Sequence, residues 1–298
     1  MTSLDELPTE QPNPRTGDLD RLDSLGILER INAEDHRVPP AVRAALPDLA
    51  RAVDLALERW RRGGRVVLFG AGTSGRLAAL DAAELGPTFG VPAERYQARI
   101  AGGAGAFHAA AEGAEDDRDA GRAAAADLSP DDVGFGIAAS GRTPWVLAAL
   151  EGARARGAAT IGLACVPRPA LAACADVTIA VDTGPEPVAG STRMKAGTAQ
   201  KLVLNAFSTA LMVRLGKVYA NLMIEVEATN AKLRRRAARL VEQAAGVDAR
   251  AAEHALQQAN GEVKTAIASV RLGIPPEEAR ARLRTADGRL RVVLGEAD

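Results

Sequence analysis

Cysteine is scarce: Cys165 and Cys174 are the only two in 298 residues. Two cysteines do not build a disulfide framework, and these two do not form a metal-type pair. Histidine is as thin. His36, His108 and His254 lie far apart, no short Cys/His cluster exists, and no metal site is expected. Aromatic residues make up 3% of the chain, and Trp60 and Trp145 are expected to be packing anchors rather than stacking platforms. No stretch reaches 18 uninterrupted apolar residues, so no membrane span is expected. The segment Met1 to Arg15 is polar and acidic, without the basic start and apolar run of a signal peptide. Charge of one sign is lacking too: 37 Lys and Arg against 38 Asp and Glu leave a net charge of −1. No positive field is available to hold nucleic acid, and Arg234-Arg235-Arg236 reads as a solvated helix face. Together these absences point to a reducing cytoplasm.

What is present is ordinary for a globular chain: 47% hydrophobic and 25% charged residues. The length suffices for one large domain with a smaller appendage. Residues 1 to about 20 read as arm-like or disordered. Leu22, Leu25, Ile27, Leu28 and Ile31 form a first apolar stripe, Pro39 and Pro40 interrupt it, and Val42 to Trp60 continue with helical spacing. The pattern then alternates. Strands are expected at Arg65–Phe69, Tyr96–Ala101, Val133–Ala138, Ala158–Ala164 and Val177–Val181. Helices are expected at Arg76–Glu84, Ala106–Ala126 and Thr143–Arg156. This order predicts a doubly wound α/β domain with a mostly parallel sheet, whose sites lie at the carboxyl ends of its strands. Beyond Lys195 the chain reads as helix: Ala196–Leu215, Val218–Ala245, then shorter segments near 248–259, 261–272 and 276–285. The expected domains are a helical arm over 1–50, the α/β domain over 51–219 and a small all-helical domain over 220–298.

Three loops have the composition of anion sites. Gly70-Ala71-Gly72-Thr73-Ser74-Gly75 follows a strand and opens a helix, where free N–H groups and close backbone approach favour a phosphate. It also matches the dinucleotide fingerprint. The second strand, however, ends Ile100-Ala101-Gly102-Gly103, without the carboxylate that would hold a ribose. Ser140-Gly141-Arg142-Thr143 repeats the strand–loop–helix placement. Gly190-Ser191-Thr192-Arg193-Met194-Lys195 opens the long helix expected over Ala196–Leu215 and carries the first of only five lysines. Any one such loop is commonly a capped turn; three together point to a phosphorylated ligand.

These stretches carry a resemblance. Gly70 to Leu77, Ala138 to Pro144 and Gly190 to Lys201 together resemble the N-acetylmuramic acid 6-phosphate etherases, a family of the sugar isomerase (SIS) superfamily. Asp81-Ala82-Ala83-Glu84, Pro87 to Gly90 and Ala111 to Asp116 fit the same pattern. The resemblance runs from about Arg21 to the C-terminal helices. It implies an SIS α/β domain, a homodimer, no cofactor, and a part in recycling cell-wall muramic acid, with N-acetylglucosamine 6-phosphate and D-lactate as products. One departure is local: the family commonly has a Ser-Glu-Cys-Pro-Pro-type stretch where this chain has Ala83-Glu84-Leu85-Gly86-Pro87.

The substrate so implied carries lactate as an ether on C3. Opening the ring exposes an aldehyde at C1 and acidifies the C2 proton. Loss of that proton expels lactate, and water then adds at C3. Such a route needs a base near C2 and an acid near the C3 oxygen, roles that two carboxylates can divide. By resemblance Glu84 is the acid and Glu115 the base. From the residues alone Glu84 reads first as a solvated helix-end carboxylate. Glu115 sits in the acidic run Glu112 to Asp119, and Glu112 stays an alternative. The resemblance assigns Ser140, Gly141, Arg142 and Thr143 to the phosphate. Gly72, Thr73, Ser74, Gly75 and Arg76 would lie near sugar or phosphate. Ser191, Arg193 and Lys195 would meet the lactyl carboxylate or phosphate, with a salt bridge to a partner subunit as the other reading of Arg193 and Lys195.

Other functions are weighed on the same residues. An SIS aldose–ketose isomerase would share C2 deprotonation but need no leaving-group acid. A non-catalytic sugar-phosphate-binding regulator would need neither carboxylate, and would carry a DNA-reading segment that is not seen ahead of the α/β region. A nicotinamide dehydrogenase lacks its ribose-binding acid.

Overall fold

The computed structural model describes residues 7–109, 111–226 and 231–296, with backbone only at 231 and 232. Spatial proximity groups them into two compact units: one runs up to Ala82 and resumes over Ala93–Ser208, the other holds Ala83–Pro92 and the chain from Thr209 onward. The division falls some ten residues ahead of the expected boundary at 219, and residues 7–50 group with the sheet.

In the first unit, α1 (Ser24–Asp35), α2 (Val38–Ala44) and α3 (Leu46–Arg61) precede the sheet. Pro39 and Pro40 sit in the first turn of α2, where the missing N–H costs nothing, so they start a helix rather than merely break one. α3 buries Leu49, Ala52, Val53, Ala56 and Leu57, a helical stripe that packs on the sheet. On α1, by contrast, Leu25 and Leu28 are 64% and 62% exposed.

The strands are β1 (Val66–Gly70), β2 (Tyr96–Ile100), β3 (Val133–Ile137), β4 (Ala159–Ala164) and β5 (Val177–Ala180), separated by α4 (Gly72–Phe89), α5 (Arg118–Ala123) and α6 (Pro144–Ala155). All pair in parallel, in the order β2-β1-β3-β4-β5. β1, β3 and β4 are buried at every residue, as strands covered on both faces must be. One face is covered by α6: Trp145 meets Phe69 edge-on at 6.1 Å. The other is covered by α7 (Lys195–Arg214), whose Phe207 meets Phe135 at 5.0 Å.

Two expected helices come out otherwise. Over 106–126 only Arg118–Ala123 is α-helical; short 3₁₀ turns occupy 104–107 and 114–116, and residue 110 lies outside the described residues. The alanine content suits a helix, but Gly113 takes φ +71° and Asp117 accepts from the N–H of Ala120, starting α5 afresh. Over 218–245 the chain first forms a hairpin of β6 (Val218–Tyr219) and β7 (Leu222–Met223), then α8 (Ala231–Ala245), with 227–230 outside the described residues. β-Branched and aromatic Val218 and Tyr219 favour the extended pairing. α9 (Ala249–Gln258), α10 (Val263–Leu272), α11 (Pro276–Thr285) and α12 (Leu290–Val293) complete the second unit. Its own core centres on Val241, Ala252, Ala266, Ile267 and Ala279.

The stretch read as arm-like or disordered is an ordered arm from residue 7. Thr9, Asn13 and Thr16 are buried, each hydrogen bonded to groups far along the chain. Residues 1–6 lie outside the described residues.

Candidate active site

β1 and β3 are neighbours in register, Gly70 opposite Ile137, while β2 lies on the far side of β1. The chain leaves β1 toward β2 and returns on the other side as β3, which makes the gap between β1 and β3 the point where strand order reverses. Ligands of such sheets bind outside the carboxyl ends of the strands at that point. The first two anion loops leave the sheet from there.

Their glycines are required sterically. A Cβ on Gly75 would stand 2.5 Å from Ile100 Cγ1 and 2.8 Å from the Gly70 carbonyl, so α4 starts close against the strand ends only because Gly75 has no side chain. Gly141 turns at φ +67°, and a Cβ there would reach Pro169 Cβ at 2.3 Å. Ser140 Oγ accepts from the N–H of Arg142 at 3.2 Å, which shapes the second loop. Thr143 makes no side-chain cap to α6, where Pro144 supplies the first turn. Ser74 is buried, Thr73 and Arg76 are partly buried, and Gly72 opens α4 in the open. The Arg76 guanidinium donates to the carbonyl of Ala109 at 3.1 Å, tying α4 to the segment after β2. That segment carries Glu115, on an exposed turn whose Ala114 neighbours Gly102. Glu112 is exposed as well.

The third loop joins the first: a Cβ on Gly197 in the first turn of α7 would be 3.6 Å from Thr73 Cγ2. Ser191 is partly buried and Arg193 exposed, and neither makes an ion pair among the described residues. Lys195 is turned inward, toward its own chain. Its side chain is 0% exposed and its ammonium donates to Glu34 at 2.6 Å, within the same chain. The first amides of α7 are used too. The buried Glu186 carboxylate accepts from Lys195 N at 2.8 Å and Ala196 N at 2.9 Å, a helix cap supplied from outside the helix. Burial raises the Glu186 carboxyl above its ordinary range despite those bonds. The Glu34 carboxyl is lowered to about 2, first by its hydrogen bond to Arg15, with Lys195 and Asn13 adding to it.

Glu84 belongs to the other unit. It is exposed near the end of α4, one turn after Asp81, with no side-chain hydrogen bond or ion pair among the described residues. Asp81 is buried and accepts from Tyr96 Oη at 2.9 Å and Ser208 Oγ at 3.0 Å. Desolvation pushes its carboxyl up to about 6. No group of His, Cys, Asp and Glu that could hold a metal occurs among the described residues.

Residues 48–154 match the glucokinase regulatory protein N-terminal SIS domain, and residues 105–210 the SIS domain. A phosphosugar isomerase by name, described as involved in capsule formation in Bacteroides fragilis, shares the fold with a TM-score of 0.50. It is 20% identical, over 66% of this chain and 95% of that one. Nearly the whole chain aligns with an N-acetylmuramic acid 6-phosphate etherase of Deinococcus radiodurans, 51% identical over 97% of this chain and 96% of that protein. One from Yersinia pestis is also 51% identical, over 98% of this chain and 100% of the relative. The chain belongs to the N-acetylmuramic acid 6-phosphate etherase family. The SIS domain of this etherase-family chain was legible from its loops. The charged groups behind the third loop, Glu34, Arg15 and Glu186, were not. Asp81 lay inside a quoted motif, but its burial carried no local signal.

Proposed function

We propose that this chain is a carbon–oxygen lyase that cleaves the D-lactyl ether of N-acetylmuramic acid 6-phosphate to N-acetylglucosamine 6-phosphate and D-lactate. The observation that carries this reading is 51% identity, over nearly full length, to proteins named for that reaction. The two glycine loops at the strand-order reversal support it, since they suit a phosphorylated ligand. A base removes the C2 proton, the C3–O bond breaks, and an acid protonates the departing lactate. Water then adds to the resulting double bond, its oxygen to C3 and a proton to C2. The sum is hydrolysis with no net oxidation, so no redox partner is required.

Glu115 is assigned the base and Glu84 the acid. Ser140, Gly141, Arg142 and Thr143 are assigned to the phosphate, Gly72 to Arg76 to the sugar, and Ser191 and Arg193 to an anionic end of the substrate. A homodimer working in the cytoplasm on cell-wall muramic acid completes the proposal. The exposed Leu25 and Leu28 on α1 are the kind of apolar surface a partner covers.

The test is release of D-lactate from the sugar phosphate by the purified protein in ¹⁸O-labelled water, beside Glu84→Ala and Glu115→Ala. Lactate release with one solvent oxygen on C3 of the product, and near-total loss in both variants, is expected. No release, with the sugar phosphate still raising the melting temperature, would overturn the reading in favour of a regulator.

A further inference from the structure

Between Gly190 and Lys195 the third loop offers Ser191 and Arg193, and what holds it comes from the other end of the sequence. Thr9 accepts from the N–H of Gly190 at 3.0 Å. The Asn13 amide donates to the carbonyl of Pro185 at 3.1 Å and to Glu34 at 2.8 Å. Thr16 Oγ1 donates to the carbonyl of Pro187 at 2.8 Å. The arm thus bonds the chain leading into the loop at 185 and 187 and the loop's first residue at 190. Beyond Arg193 the loop is fixed by Lys195 on Glu34 and by the Glu186 cap.

Glu34 is the node of this arrangement. Its buried carboxylate takes hydrogen bonds from Asn13, Arg15 and Lys195 together. Arg15 grips it with both Nε and Nη2, the second at 3.0 Å, a two-point contact that fixes direction as well as distance. One carboxylate therefore ties the arm, α1 and the first residue of α7. Charge-assisted bonds in a buried setting are stiff, because moving any partner leaves a charge unsolvated.

We propose that Arg15 and Glu34 are positioning residues, and that the arm they fasten is a strap setting where Ser191 and Arg193 stand toward substrate. The proposal rests on the etherase reading of the third loop. Arg15 is the side to probe. Its side chain is 42% exposed, and removing it leaves the Lys195–Glu34 pair in place, so the fold is expected to survive, as a melting scan would show.

In Arg15→Ala and in Thr16→Val, amide hydrogen exchange over residues 188–194 accelerates at least tenfold, while exchange in β3 is unchanged. KM for the sugar phosphate rises about tenfold with kcat within threefold, since a loosened binding loop loses ground-state and transition-state contacts alike. Arg15→Lys, keeping the charge but not the fork, recovers part of the loss. Unchanged loop exchange in both variants would overturn the strap. Faster loop exchange with unchanged KM would overturn the positioning role, as would exchange rising equally throughout the unit. A parent that releases no lactate counts against the etherase reading alone. Affinity for N-acetylglucosamine 6-phosphate, read by thermal shift, then takes the place of KM.

Discussion

Glu84 and Glu115 are exposed and make no side-chain bonds among the described residues, so glutamine at either position removes a proton-transfer group without leaving a hole or an orphaned charge. Each substitution is expected to lower kcat by about 10²–10⁴-fold, the usual worth of a positioned acid or base. Melting temperatures should stay within a few degrees of the parent, since surface changes cost about 0.5 kcal/mol or less; steady-state kinetics beside a melting scan reads both. Asp81 is the opposite case, a carboxylate whose burial favours its proton. Its folded pKa of about 6 stands above its ordinary value of 3.8, so the folded state binds the proton more tightly than the unfolded chain. Asp81 therefore weighs against folding increasingly as pH rises from about 4 to 6, and fully above that. The stability of Asp81→Asn relative to the parent should rise over that window and then level off, as melting temperatures at pH 4.5 and 7 would show. A pH-independent difference would rule out this titration.

At the scale of elements, α7 depends on a carboxylate nine residues ahead of it. Glu186→Ala would leave the amides of Lys195 and Ala196 buried without an acceptor, at a cost of about 1–3 kcal/mol, and a denaturant titration should find it. The legibility of the elements follows from how local their causes are. β1, β3 and β4 are buried, mostly apolar runs of five or six residues alternating with helical stretches, the local pattern of parallel strands covered on both faces. The first two loops were legible for the same reason, since glycine, hydroxyl and strand end are adjacent in sequence. Residues 106–126 misled because alanine favours helix while a left-handed Gly113 and the Asp117 cap divide the stretch into short turns and α5. The Glu34–Lys195 bond spans 161 positions, and no periodicity announces a contact at that range.

For the whole molecule, each unit has a core of its own: the first around Phe69, Trp145, Val146 and Leu150, the second around Val241, Ala266 and Ile267. α4 contributes residues to both, with Asp81 counted in one and Glu84 in the other. A ligand of the native state stabilises by mass action, about 2.7 kcal/mol at one hundred times its dissociation constant. N-acetylglucosamine 6-phosphate is thus expected to raise the melting temperature by several degrees, and Ser140→Ala to shrink that rise. A dinucleotide should leave it unchanged.

The internal placement of Lys195 decides how the protein can be cut. No lysine precedes it, and its own side chain is sealed from solvent. A lysine-specific protease acting on the native chain therefore finds no target in the arm, the sheet or any of the three loops. Its first exposed lysine is Lys201, inside α7. Cleavage should begin there or later, leaving the sheet and all three loops in a single covalent fragment.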